Sequence, residues 1–205
     1  MYVPDRFKNE NLPVVKDFIS DNGFGILIHQ GHKKLQVTHI PMLLDKNKKG
    51  KDVLVGHMSK ANPQWKHFKD NDTIMVIFMG PHSYISSSWY QKENVPTWNY
   101  IAVHVYGKIK IVEGDVLIDD MRKLVDKYEV NSKNPVSMDK LSPKSMKMVN
   151  GVVGFQIEIT EIQAAFKLSQ NKDETDYNNI IVELKQSDDY NAKAVAEEMK
   201  KTRRN

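Results

Sequence analysis

The sequence predicts an α+β fold, mainly β at its centre: an antiparallel barrel or sandwich with added helices. Two observations carry that reading. Apolar runs of strand length dominate the first two thirds of the chain, with helical patterns as interruptions. Two further helical patterns close the chain after Asp173.

In order, "LPVVKDFISDN" sets Val14, Val15, Phe18 and Ile19 on one helical stripe that stops at Asn22-Gly23. "GFGILIHQ" and "LQVTHIPMLL" read as two strands joined by "GHKK", a hairpin signal. The basic loop "DKNKKGKD", Asp45–Asp52, leads into a third strand, "DVLVGHM". "NPQWKHFK" reads as a short helix capped by Asn62, with Pro63 in its first turn and Trp65 as core anchor. "DTIMVIFMG" is continuously apolar, which predicts a strand buried on both faces.

From Trp98 to Ile111 the chain alternates. Ile101, Val103, Val105, Ile109 and Ile111 make a core face. Trp98, Tyr100, His104 and Tyr106 make an aromatic and polar face, suited to a ligand, a partner or another subunit. "GDVLIDDMRKLVDKYEV" reads as a helix with Leu117, Met121, Leu124, Val125 and Tyr128 on one side. "SPKSMKMVN" is a short helix and "GVVGFQIEITEIQAAFKL" the last long strand. Residues 1–172 thus form the barrel domain with inserted helices, and 173–205 a helical extension packed on it.

The bulk numbers bound the function. With 205 residues the chain can bury a real core, and 40% hydrophobic with 27% charged residues describes an ordinary soluble protein. No apolar run approaches the ~20 residues of a membrane span. No secretory signal is read in "MYVPDRFKNE", and the absence of cysteine excludes disulfides and thiolate metal sites and suits the cytoplasm. The net charge of +4 is concentrated in the 45–52 loop and the tail "MKKTRRN", Met199–Asn205. Such a balance permits nucleic-acid binding and equally describes a solvated surface.

Phosphate-loop, dinucleotide, zinc-protease and serine-nucleophile motifs are missing, and the seven histidines never pair at ligand spacing, so no metal is expected. What remains is a set of polar-aromatic patches: "THIP", "GHMSKANPQW", "GPHSYISSSWY", "VPTWNY" and "KLSQNK". All three tryptophans lie in them. Gathered together, they would offer flat aromatic surface, amide and hydroxyl donors and lysines, the groups that a planar ring with a phosphate tail requires.

In this order and across nearly the whole chain, "THIPMLL", "GHMSKANPQW", "VIFMGPHSYISSSWY", "VPTWNY" and "KLSQNK" resemble the PaiB family of FMN-binding negative transcriptional regulators. One departure is Ser87, where the family usually has a proline before its Trp-Tyr pair. The resemblance implies the FMN-binding split barrel shared with pyridoxamine 5′-phosphate oxidases, assembled as a homodimer with two flavin sites across the interface. It implies that Ser59 and Lys60, with His57 beside them, hold the phosphate. Thr97 and Asn99 would meet the ring edge, and Trp98 would cover or underlie the ring. Lys167, Ser169 and Gln170 would come from the opposing subunit, with His39 a further contact.

Two function classes stay open. The resemblance implies a cytoplasmic repressor that controls protease production and sporulation in bacilli. The segments "DYNNIIVELK" and "AKAVAEEMKKTRR" are its candidate DNA contact, although the acidic "SDD" turn between them suits a helix-turn-helix poorly. The alternative is an enzyme, an FMN-dependent oxidoreductase or flavin reductase, in which the cofactor carries the electrons. No residue stands out as an acid or base.

Overall fold

The computed structural model describes all residues except His32, Lys33 and Asn205, with Arg203 and Arg204 described in backbone alone. The middle of the expected "GHKK" turn and the end of the basic tail therefore lie outside the described residues.

The chain forms α1 (Leu12–Asp21), β1 (Phe24–Gln30), β2 (Leu35–Lys46), β3 (Asp52–Ser59), β4 (Thr73–Ile85), β5 (Thr97–Val112), α2 (Gly114–Glu129), α3 (Pro143–Met146), β6 (Val152–Lys167), α4 (Glu174–Gln186) and α5 (Tyr190–Arg204). The sheet order is β1-β2-β3-β6-β5-β4, closed into a barrel. By contacts the chain divides into two compact units: Met1–Phe18, Met79–Val103 and Gln163–Asn205 in one, Ile19–Phe78 and His104–Ile162 in the other.

The second unit is built on antiparallel ladders. β1 pairs β2 from Phe24↔Pro41 to Gln30↔Leu35, and β4 through Ile26↔Ile77. β2 pairs β3 only from Met42↔Gly56 to Lys46↔Asp52. β3 then pairs β6 from Val53↔Glu158 to Ser59↔Val152. Leu27, Leu54, Val76, Phe78, Val105 and Phe155 are buried between these strands. β5 approaches β6 so closely that a Cβ on Gly107 would lie 2.5 Å from the Glu158 carbonyl oxygen, which explains a glycine mid-strand.

In the first unit, Ile85, Ile101, Ala165 and Leu168 are buried, and Phe18 meets Phe166 edge-on at 5.7 Å. α4 and α5 bury Tyr177, Ile180, Leu184, Val195, Ala196 and Met199, and the Tyr177 hydroxyl donates to the Met199 carbonyl at 2.6 Å. Helix α4 starts where Asp173 accepts the backbone N–H of Asp176, a side-chain cap.

Three expectations need correction. Trp65 is half-buried and not the core anchor of its 3-10 turn (Pro63–His67). Gln64 is the residue buried there, because its amide bonds the Gln36 carbonyl and the Thr38 hydroxyl. β4 is not buried on both faces: Ile74, Val76 and Phe78 face inward, while Met75 and Ile77 alternate with them half-buried. Tyr128 leaves the buried stripe of α2 and is half-exposed. Asp120 enters that stripe because Gln156 supplies it a donor at 2.7 Å. Asn62 does cap its turn, accepting the Gln64 N–H at 2.9 Å.

Candidate functional site

The opening in the second unit follows from the ladders. Thr38–Ile40 are paired along the edge toward β1, and His57–Ser59 along the edge toward β6. Between these two stretches the β2–β3 ladder has already ended, at Met42↔Gly56. Pro41, with no N–H to give, stands where β2 changes partner. The seam is therefore parted, and a cleft of about 580 Å³ lies in it, lined by residues that include Thr38, His39, Ile40, His57, Met58 and Ser59. One amide side chain, that of Asn62, also lines it. Asn62 donates to the Thr38 hydroxyl at 2.8 Å, and Gln64 bonds the backbone of Gln36.

The cleft combines an apolar floor with few, placed polar groups. Ile40, Met58 and Val152 supply the floor and Met148 a flexible lip. The Ser59 hydroxyl oxygen accepts the Ala61 N–H, which fixes it at the end of β3 with its own proton free to donate. His57 is held below the usual imidazole range by burial, so it is neutral at pH 7. His39 is exposed and stacks on Phe24, with ring centroids 6.4 Å apart. Lys60 lines an adjoining cavity of about 410 Å³ with Glu113, Asp115 and Asn150. Its backbone is fixed on both sides: the N–H donates to Gly151 at 2.8 Å and the carbonyl accepts the Trp65 indole N–H at 3.0 Å.

The remaining candidates form a second cluster, in the first unit. Asn99 belongs to the inward face of β5 and is fully buried. Its Oδ1 accepts the Ser169 hydroxyl at 3.0 Å, and its Nδ2 lies 3.5 Å from the Met199 sulfur. The Lys167 ammonium donates to the Thr97 hydroxyl, and burial and then Arg6 pull its pKa down. Gln170 folds back on its own turn, donating to the Phe166 carbonyl and accepting the Leu168 N–H. Trp98 points the other way. It is 53% exposed, with His82 at 6.3 Å and Tyr84 at 6.0 Å.

The structure thus brings His39, His57 and Ser59 to one cleft, places Lys60 beside it, and brings Thr97, Asn99, Lys167, Ser169 and Gln170 to another place. Sequence reasoning missed Met148 and Val152, which no local pattern marks as cleft residues. It also missed the His82–Tyr84–Trp98 group, whose signal lay in the alternation of "PHSY".

A parted, closed sheet with such a cleft defines a class, the split barrel, and the comparisons agree on that fold. The structure resembles the FAD and heme binding protein of Mycobacterium smegmatis, with a TM-score of 0.63, 12% identity, and 83% of this chain and 78% of that chain covered. It equally resembles the flavocytochrome Anf3 of Azotobacter vinelandii, with a TM-score of 0.63, 16% identity, and 84% and 75% covered. Residues 1–161 match the family described as "Putative FMN-binding domain". The chain is 46% identical to "Protease synthase and sporulation protein PAI 2" of Bacillus subtilis over 97% of its length and 96% of the relative's. An uncharacterised protein of Emericella nidulans is 27% identical, with 88% and 89% covered.

The chain belongs to the PaiB family, whose cofactor is FMN. The cleft fits that group: its volume lies within the ~300–1,000 Å³ of small-molecule sites, its floor suits a flat ring, and its polar groups are few and fixed. FMN would supply a redox-active ring there, and the apolar floor, the neutral imidazole of His57 and the Ser59 donor are the groups that would meet it.

Proposed function

We propose that this chain is an FMN-binding negative transcriptional regulator of the PaiB type, acting in the cytoplasm as a homodimer. The observation that carries the flavin site is the parted β2–β3 seam, with an apolar floor and the β3 end bearing Ser59 and then Lys60. The regulatory role is supported by the extent of the likeness to the B. subtilis sporulation protein. Ser59 and Lys60 hold the phosphate, and His57 and His39 flank the ring. Thr97 and Lys167 of a second copy, half-buried in their own chain, close the site together with its exposed Trp98. Asn99, Ser169 and Gln170 fix the segment that carries them.

The dimer is supported by the outer face of the β2–β1–β4 sheet. Phe24, Leu35 and Val37 are exposed there beside half-buried Ile26, Ile28, Met75 and Ile77, and the ladders bring all seven onto one face. An apolar band across three strands is unusual on a monomer and suits a second copy.

The test is an FMN titration followed by absorption and fluorescence. Wild type takes up about one flavin per chain, and Ser59→Ala with Lys60→Ala weakens binding at least tenfold, as expected for lost charge-assisted hydrogen bonds of about 1.5–3 kcal/mol. Unchanged affinity in the double variant discards this site. The second reading, a flavin-dependent oxidoreductase, draws on neutral His57 in the cleft, able both to donate and to accept a proton. NAD(P)H oxidation by the loaded protein, faster than with free FMN, favours it. Sequence-selective, salt-sensitive retention of a promoter fragment favours the regulator.

A further inference from the structure

The regulator reading leaves open which element meets DNA, and the C-terminal helices suit it poorly. From Asp173 to Arg204 eight carboxylates outnumber four lysines and two arginines. Lys200 and Lys201 are paired within their helix to Glu197 and Glu198, and Lys185 also reaches Glu197. A surface of that sign repels phosphate.

The turn between β2 and β3 has the opposite character. Lys46, Lys48, Lys49 and Lys51 crowd a hairpin whose tip, Asn47 to Lys51, holds no apolar residue. The turn is rigidly built. The Asn47 N–H donates to the Lys51 carbonyl at 2.9 Å, and the Gly50 N–H to the Asn47 carbonyl at 2.8 Å. The Asn47 side-chain oxygen accepts the N–H groups of Lys49 and Lys51, while its Nδ2 donates to Glu158. Gly50 supplies the φ of +76° that the turn needs.

Lys46 and Lys51 are tied to Asp52 and Glu158. Lys48 and Lys49, both exposed, make no ion pair among the described residues. Lys123 approaches from α2 to pair with Asp45. Five lysines therefore meet three carboxylates at one end of a stiff two-stranded ribbon, and the unpaired cations are the outermost.

We propose that this β2–β3 hairpin is the DNA-contacting element, docking as a β-ribbon on duplex DNA with Lys48 and Lys49 on phosphates. The proposal rests on the regulator reading. A two-stranded ribbon is of a size the major groove admits, and cations on a pre-set turn bind phosphate without ordering a loop. An anionic membrane surface would share the charge, but the tip offers no apolar side chain to insert.

The test uses the FMN-loaded full chain and a fluorescein-labelled mixed-sequence duplex, followed by anisotropy across a salt series. Lys48→Glu with Lys49→Glu is expected to weaken binding at least tenfold. Lys48→Ala with Lys49→Ala is expected to flatten the dependence of log K on log salt by about 1.8, the loss of two phosphate contacts. Lys200→Ala with Lys201→Ala serves as the control and leaves both quantities unchanged. Both lysines of the tip are exposed and unpaired, so unaltered circular dichroism is expected. Wild-type binding that the tip variants do not alter overturns the hairpin and leaves the regulator reading standing. A wild type that binds no duplex even at low salt overturns both. Loss of co-sedimentation with phosphatidylserine vesicles in the tip variants, without duplex binding by wild type, replaces DNA by a membrane.

Discussion

Asn99 and Trp98 are adjacent yet face opposite ways, as strand geometry requires. Trp98 takes the outer face with His82 and Tyr84, and Asn99 takes the core face, where its amide needs partners. It finds one in Ser169, a non-glycine residue at φ 60°, a left-handed conformation held by that hydrogen bond and by the Lys172 N–H donating to the Ser169 carbonyl. Asp120 is another polar residue among the buried ones. Burial raises its pKa, against the donor from Gln156 and the nearby Lys123. A carboxyl whose folded pKa is raised binds its proton more tightly in the folded state, so its contribution falls as pH rises from the unfolded value through the folded one. Asp45, held down by Lys123 and the Lys46 N–H despite its own burial, works in the opposite sense. We therefore expect the stability of Asp120→Asn, measured by urea unfolding relative to wild type, to improve progressively from pH 4 to pH 7. A pH-independent difference would show that Asp120 is ionised without penalty.

At the scale of elements, register decides what the local pattern cannot. The periodicity of β1 is legible because it has one buried face with a regular repeat. β4 was misread because Met75 and Ile77 are apolar on a face that the strand does not bury in its own barrel. Trp65 departs from the anchor that its size suggests, whereas Gln64 is drawn inside by two partners on β2, the Thr38 hydroxyl that donates to its amide oxygen and the Gln36 carbonyl that accepts from its amide nitrogen, 26 and 28 residues away in sequence. Gly107 makes the matching prediction. A methyl there meets the Glu158 carbonyl oxygen and Ile157 at 2.5 Å, and a ladder oxygen cannot rotate away. Gly107→Ala should cost about 1–3 kcal/mol in denaturant midpoint and slope analysis. A smaller loss would mean that β5 and β6 yield at this point.

For the whole molecule, fold class and cofactor were legible because the motifs occur in a distinctive order, whereas the assignment of site residues depends on contacts far apart in sequence. His57 and His39 line one cleft only because β2 and β3 part, and Lys167 meets Thr97 across 70 residues. Assembly is a property of the same scale. Val37→Asp places a charge in the apolar band of β2–β1–β4, and in sedimentation velocity it is expected to convert a dimer to a monomer with an unchanged circular dichroism spectrum. A wild type that sediments as a monomer removes the second copy from the proposed site.

The change of partner at Pro41 has a mechanical corollary. Each lip of the gap is zipped to a different neighbour, β1 on one side and β6 on the other, and sliding either by one residue would turn its buried side chains outward. The aperture is therefore held at a set width before any guest arrives. Entry should show a concentration-linear rate with no preceding slow isomerisation.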